Sequence, residues 1–296
     1  MWIGAKLRIK SRSRSAWSAV LGAGAVLVFA TATGYGDQAL AQSKLRASYT
    51  ITFARIPVGN IVAVLELGTS EYMVSATGNA GGAIRSLVSG EAAFATRGNI
   101  KDGRAVPASF TSKITSSDEN LDVTMLLHDG IVDRLKILPP QPEDNRIPVT
   151  ESDRQGILDP LSALLLANGV AGANLSQDAC QRTLPIFDGL QRYDLRLAYK
   201  RMDNVAAGKG YAGPAVVCSI RYQPIAGHHA SPPLVKYISE GREMEIAFVP
   251  IAGARMLAPF QVSVMSMLAN LVIKAEQFES SGQAIDAPMA NSHRGQ

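Results

Sequence analysis

Aromatic residues make up only 6% of this chain and charged residues 18%, and its 296 positions hold two cysteines and four histidines. So few rings exclude a base-stacking or carbohydrate-binding platform built on aromatics. Two cysteines without a Cys-x-x-Cys spacing are too few for a zinc site or a thioredoxin-like redox pair. The chain also lacks a Gly-x-Ser-x-Gly elbow, a Ser-x-x-Lys, a His-Glu-x-x-His and a phosphate-binding loop. Of the histidines, only His228 and His229 are adjacent. Successive residues of a strand point to opposite faces, so the pair does not converge on one metal and reads as a solvated loop. Acids such as Asp118-Glu119, Glu143-Asp144, Glu151 and Asp153 are scattered through turns and loops, where solvated charge is the rule. No catalytic residue, metal or cofactor is therefore expected.

Charge of one sign is missing as well, once the N-terminus is set aside. Lys6, Arg8, Lys10, Arg12 and Arg14 precede an apolar run from Ala19 to Ala32, and Ala39-Leu40-Ala41 supplies small residues before Gln42. That is the grammar of a cleaved secretory signal peptide over residues 1–41. The run is broken by Gly22, Gly24, Thr31, Thr33 and Gly34, which leaves it short of a transmembrane helix. No transmembrane segment is expected after cleavage. Residues 1–41 carry five of the 29 basic residues and one of the 25 acidic ones, which leaves 24 of each. A balanced mature chain gives no electrostatic footprint for nucleic acid.

Export places Cys180 and Cys218 in an oxidising compartment, where an even count reads as a disulfide. Closing a loop of that length stabilises a fold by about 4 kcal/mol in the chain-entropy treatment.

The mature chain reads as strands. Leu45, Ala47, Tyr49, Ile51 and Phe53 alternate with Arg46, Ser48, Thr50 and Thr52, the period of a half-buried strand. Similar alternation returns around Tyr193–Tyr199, Val216–Tyr222 and Met244–Phe248. Asp129-Gly130 and Asp188-Gly189 supply hairpin turns. Two short helices interrupt the pattern. One is an apolar stripe at Ala80, Ala83, Ile84, Leu87 and Val88; the other begins at Asp159-Pro160, an N-cap followed by proline, runs through Leu161, Leu164, Leu165 and Leu166, and stops at Gly169. The second helix is a plug buried in a concave sheet or a lid over a cavity, with Leu161, Leu164 and Leu165 as its ligand-facing candidates. The fold class is mainly β, a large antiparallel curled sheet or open half-barrel of about a dozen strands. One domain spans 42–280, with an internal boundary offered by the proline-rich loop 139–156 and a disordered tail over 281–296. Such a sheet either fills its concavity with side chains or leaves room for an apolar ligand.

Three segments resemble one family. Tyr49-Thr50-Ile51-Thr52-Phe53-Ala54-Arg55-Ile56-Pro57-Val58-Gly59, Asp159-Pro160-Leu161-Ser162-Ala163-Leu164 and Phe187-Asp188-Gly189-Leu190-Gln191-Arg192-Tyr193-Asp194-Leu195, in that order, are similar to the exported domain of unknown function 3108 of Gram-negative bacteria. The resemblance spans about Ala47 to Phe278. It implies a periplasmic protein with an open, helix-plugged β-sheet, similar in outline to lipoprotein carriers and envelope-integrity proteins, and it brings no catalytic residues. The expected function is non-enzymatic binding of an apolar ligand, or of a lipid, lipoprotein or envelope-protein partner, in cell-envelope maintenance. A purely structural interaction scaffold is the alternative, and a hydrolase using dispersed acids or His228 and His229 stands behind it.

Overall fold

In a computed structural model of the chain, the described residues are 43–81, 90–116, 120–141, 145–168, 175–229, 244–265 and 270–282. The proposed signal peptide therefore lies outside the described residues.

The first seven strands are β1 (Ser43–Phe53), β2 (Ile56–Leu67), β3 (Glu71–Ala80), β4 (Gly90–Lys101), β5 (Arg104–Ser116), β6 (Asn120–His128) and β7 (Ile131–Leu138). They form a meander in which each strand pairs antiparallel with the next. Two tight links within it are Asp102-Gly103 and Asp129-Gly130, all four residues at positive φ. Asp-Gly supplies that conformation at little cost. The second arm comprises β8 (Leu166–Ala167), β9 (Arg182–Phe187), β10 (Arg192–Ala206), β11 (Lys209–Gly210), β12 (Ala212–Ala226), β13 (Met244–Pro250), β14 (Met256–Met265) and β15 (Asn270–Gly282).

All fifteen belong to one sheet whose main path runs β7-β6-β5-β4-β3-β2-β1-β15-β14-β13-β12-β10-β9. The first and last strands thus meet in the middle, Ser43 opposite Gly282 and Phe53 opposite Leu271. The hydrogen-bonded path is open, since no ladder among the described residues joins its edge strands β7 and β9. That gap is sealed by other means. Ile157 N–H donates to Gly130 O (3.0 Å), Leu158 N–H to Pro185 O (2.7 Å) and Phe187 N–H to Leu158 O (3.0 Å). Beneath this strap, Phe187 and Ile157 pack with Phe110, Val123, Met125 and Leu127. The 139–156 stretch leads into the strap, and the strands before and after it share one sheet.

Alternation decides which side chains enter the core. On β6, Leu121, Val123, Met125 and Leu127 are buried while their neighbours are exposed, the period-2 pattern of a sheet with one solvated face. Cys180 and Cys218 form a disulfide, with Cα atoms 5.3 Å apart and both residues fully buried. It ties the turn ahead of edge strand β9 to β12, across the intervening β10.

The helices differ from expectation. Ala80 ends β3, and the stripe from Ala83 to Val88 lies outside the described residues. The second helix is a single 3-10 turn, Ser162–Leu164. Its start follows the sequence, because the Asp159 carboxylate caps it by accepting from Leu161 N–H (2.9 Å) and Ser162 N–H (3.1 Å). Its length does not: Leu165 is already extended, and Leu166-Ala167 enters the sheet against Met256-Leu257. A helix of one turn gains too few hydrogen bonds to offset its nucleation, so the ladder wins. At the other end, β15 continues through Gly282 and takes in the first two residues of the expected disordered tail.

Candidate functional site

The curled sheet is filled on one side and hollow on the other. The β6, β7 and β9 side holds the Phe110, Met125 and Phe187 cluster. The β1 to β5 side, closed by β14 and β15, encloses a cavity of about 680 Å3, within the range of small-molecule sites. Its origin is legible strand by strand. The inward positions of β3 are Tyr72, Val74, Ala76, Gly78 and Ala80, shrinking from phenol to methyl along the strand. Register sets small residues opposite these, with Ala63 facing Ala76, Ala92 facing Gly78 and Gly90 facing Ala80. Larger apolar groups, among them Ile51, Ile61, Phe94, Val262 and Ile273, complete the wall. Tyr49 also lines it, and its hydroxyl, donating to Pro259 O at 2.8 Å, is spent on the wall itself. Burial pushes that phenol's pKa up.

The floor is the 3-10 turn. Leu161, Leu164 and Leu165 all line the cavity, so the structure brings together the three leucines singled out from the sequence. Behind them lies a buried polar knot. Thr96 Oγ1 donates to Asp159 Oδ2 at 2.9 Å and lies 3.2 Å from Ser162 Oγ; Ser162 Oγ also donates to Asp159 Oδ2. The Tyr72 hydroxyl lies 2.6 Å from Ser162 Oγ. Asp159 and Ser162 are fully buried, and Thr96 and Tyr72 nearly so. Desolvation raises the Asp159 pKa, against the opposing pull of the hydrogen bonds from Ser162, Thr96 and Leu161. Burial likewise pushes the Tyr72 phenol up. The knot pins the leucine floor to β3 and β4. Sequence reading found only the capping role of Asp159. The signal for the rest was Thr96, a hydroxyl at an inward position between Phe94 and Gly98.

The remaining candidates do not converge. His229 is exposed and bridges to Arg146, whereas His228 is half-buried with Nδ1 lacking a hydrogen-bond partner. His128 is exposed beside Asp129. Among the described residues no group of three His, Cys, Asp or Glu side chains is placed to hold a metal ion. Gly208, Gly210 and Gly213 carry a nucleotide-loop spacing but sit at the tip between β10 and β12. There Gly210 packs so closely on β15 that a Cβ would stand 2.1 Å from Phe278 O. A strand follows them, not the helix a phosphate site requires. Among the described residues no helix is long and apolar enough to cross a membrane.

Comparison with known proteins gives one family. The model of the family described as "Protein of unknown function (DUF3108)" matches residues 48–269. No curated protein matches the chain. Among solved structures, the chain is similar to a β-barrel-like protein of the domain of unknown function DUF1849 from Brucella abortus. The two are 11% identical with a TM-score of 0.44, over 82% of this chain and 100% of that one.

Proposed function

The chain belongs to the DUF3108 family, and from that premise and the hollow half of its sheet we propose that it is an exported, non-enzymatic protein that carries an apolar ligand in the cell envelope. The observation that carries this reading is the cavity of about 680 Å3 with a leucine floor and a wall that is mostly aliphatic or aromatic, Ser116 and Gln261 being among its few polar residues. A space of this kind offers water few partners and gains from filling with hydrocarbon. Acyl chains fit that chemistry. The Asp159 knot supports the reading from below, because a floor fixed by buried hydrogen bonds keeps Leu161, Leu164 and Leu165 from collapsing into the space above them.

The signal-like N-terminus and the disulfide support a periplasmic location. The test is direct: protein purified from a bacterial periplasm is examined by native mass spectrometry, with organic extraction of whatever accompanies it. A co-purifying lipid in about stoichiometric amount is the expected result. A bare mass, together with failure to take up any soluble apolar probe, would refute the proposal.

A further inference from the structure

Among the described residues, three two-residue hairpins place both of their turn residues at positive φ: Ala54-Arg55 (51° and 68°), Asp102-Gly103 (50° and 73°) and Asp129-Gly130 (47° and 78°). The last two use Asp-Gly, which accepts that conformation readily. The first forces alanine and arginine into it, against the steric preference of any residue carrying a Cβ. Position separates the cases. Because the strands form an antiparallel meander, the two Asp-Gly turns fall at one end of the sheet and the β1–β2 turn at the other. At that other end Ile51 and Val58, on the two strands that lead to the tip, line the cavity. Ala54, Arg55, Ile56 and Pro57 are all exposed, Ile56 at 46%. Among the described residues Arg55 has no acidic partner. The acidic residue among those lining the cavity, Glu91, lies on β4, two strands beyond β2.

We propose that the Ala54–Pro57 tip docks this end of the cavity on an anionic lipid surface. Ile56 enters the acyl boundary, and Arg55 stands above it at the level of the phosphates. The inference rests on the proposed carriage of an apolar ligand, since it supplies the surface from which such a ligand enters. An apolar side chain beside a lone guanidinium, at one end of a cavity with a mostly apolar wall, matches the layering of a membrane interface. Backbone strain retained at this one turn, while the same geometry is built from Asp-Gly elsewhere, is the pattern of a segment kept for contact and not for folding.

Vesicle co-sedimentation tests it, with phosphatidylcholine vesicles with and without phosphatidylglycerol as the probe. A soluble apolar fluorophore reports separately on the cavity. The parent protein is expected to bind the anionic vesicles, less so as salt rises. The double variant Ala54→Asn/Arg55→Gly is expected to melt higher than the parent, because its turn is relaxed, yet to bind the vesicles at least tenfold more weakly. Ile56→Asn should show the same loss, and both should take up the fluorophore as the parent does. Vesicle binding that is unchanged in both variants overturns the proposal. So does a parent that takes up fluorophore but ignores anionic vesicles, and that outcome leaves the cavity reading standing. A parent that takes up no fluorophore counts against the cavity reading itself.

Discussion

Thr96 and Asp159, 63 residues apart in sequence, meet through a buried hydrogen bond of 2.9 Å that fixes the cavity floor to β4. The Asp159 carboxylate also accepts from two backbone N–H groups and from the Ser162 hydroxyl. Replacing it by alanine takes the acceptor from the Leu161 and Ser162 N–H groups, while Thr96 still has Ser109 O and the Ser162 hydroxyl still has Tyr72. Each buried donor left unpaired costs about 1–3 kcal/mol, so with two of them Asp159→Ala is expected to lose about 2–6 kcal/mol in a urea titration and to loosen the floor.

The same carboxyl should leave a mark on the pH dependence of stability. Burial, the largest influence, raises its pKa in the folded protein above the ordinary 3.8. The folded state then binds the proton more tightly than the unfolded chain does. Stability from this group is present in full below 3.8 and is lost as pH rises through the raised folded value. Asp159→Asn cannot ionise and lacks this slope. Urea titrations of both proteins between pH 3.5 and 8 should show the stability difference moving in favour of the variant as pH rises, then levelling once Asp159 is ionised in both states. A difference constant across the range would rule out this role for the carboxyl.

A bulky side chain at Ala92 separates cavity volume from fold. Ala92 faces Gly78 across the β3–β4 ladder and lines the cavity. Ala92→Trp therefore grows into empty space, not into packed neighbours, and the usual overpacking cost of about 1–3 kcal/mol should be small or absent. Uptake of a soluble apolar fluorophore is expected to fall at least tenfold while the melting temperature holds or rises. Unchanged uptake would mean that the ligand does not use this cavity.

The disulfide makes a fourth prediction. Cys180 and Cys218 close a loop of sequence separation 38, and opening it releases about 4 kcal/mol of unfolded-state entropy in the chain-entropy treatment. A reductant should lower the melting temperature of the parent protein but leave that of Cys180→Ala/Cys218→Ala unmoved. Because β9 is a sheet edge held by this bond, the loss should be felt first at the strap.

The strands were readable because alternation such as Leu45, Ala47 and Tyr49 is local information, and Asp129-Gly130 dictates its own turn. The floor leucines were readable for the same reason, as an apolar run behind an N-cap. Its conformation was not, since Leu166 leaves the turn for a ladder with Leu257, 91 residues away. Whether the concavity was filled or hollow depended on register. Ala76, Ala92 and Gly90 are unremarkable apart, and they make a void only because the ladder sets them against other small residues. The Asp159 knot was half visible for a similar reason, because Thr96 and Tyr72 come from strands far off in sequence.

The seam between β7 and β9 is where the sheet should yield first. Its two edges share no ladder among the described residues and are held by a strap of three backbone hydrogen bonds over the Phe187 and Ile157 packing. The central pair β1 and β15, by contrast, is in register from Ser43 to Phe53 apart from one bulge. Segments with few backbone hydrogen bonds open at lower free energy than long ladders. Amide exchange is therefore expected to be faster at Leu158 and Phe187 than along β1. Phe187→Ala should cost about 3–5 kcal/mol, because the ring is fully buried. It should speed exchange at Ile157 and Leu158 far more than at Ala47 or Tyr49. Equal acceleration at both places would mean that the seam opens only with the whole sheet.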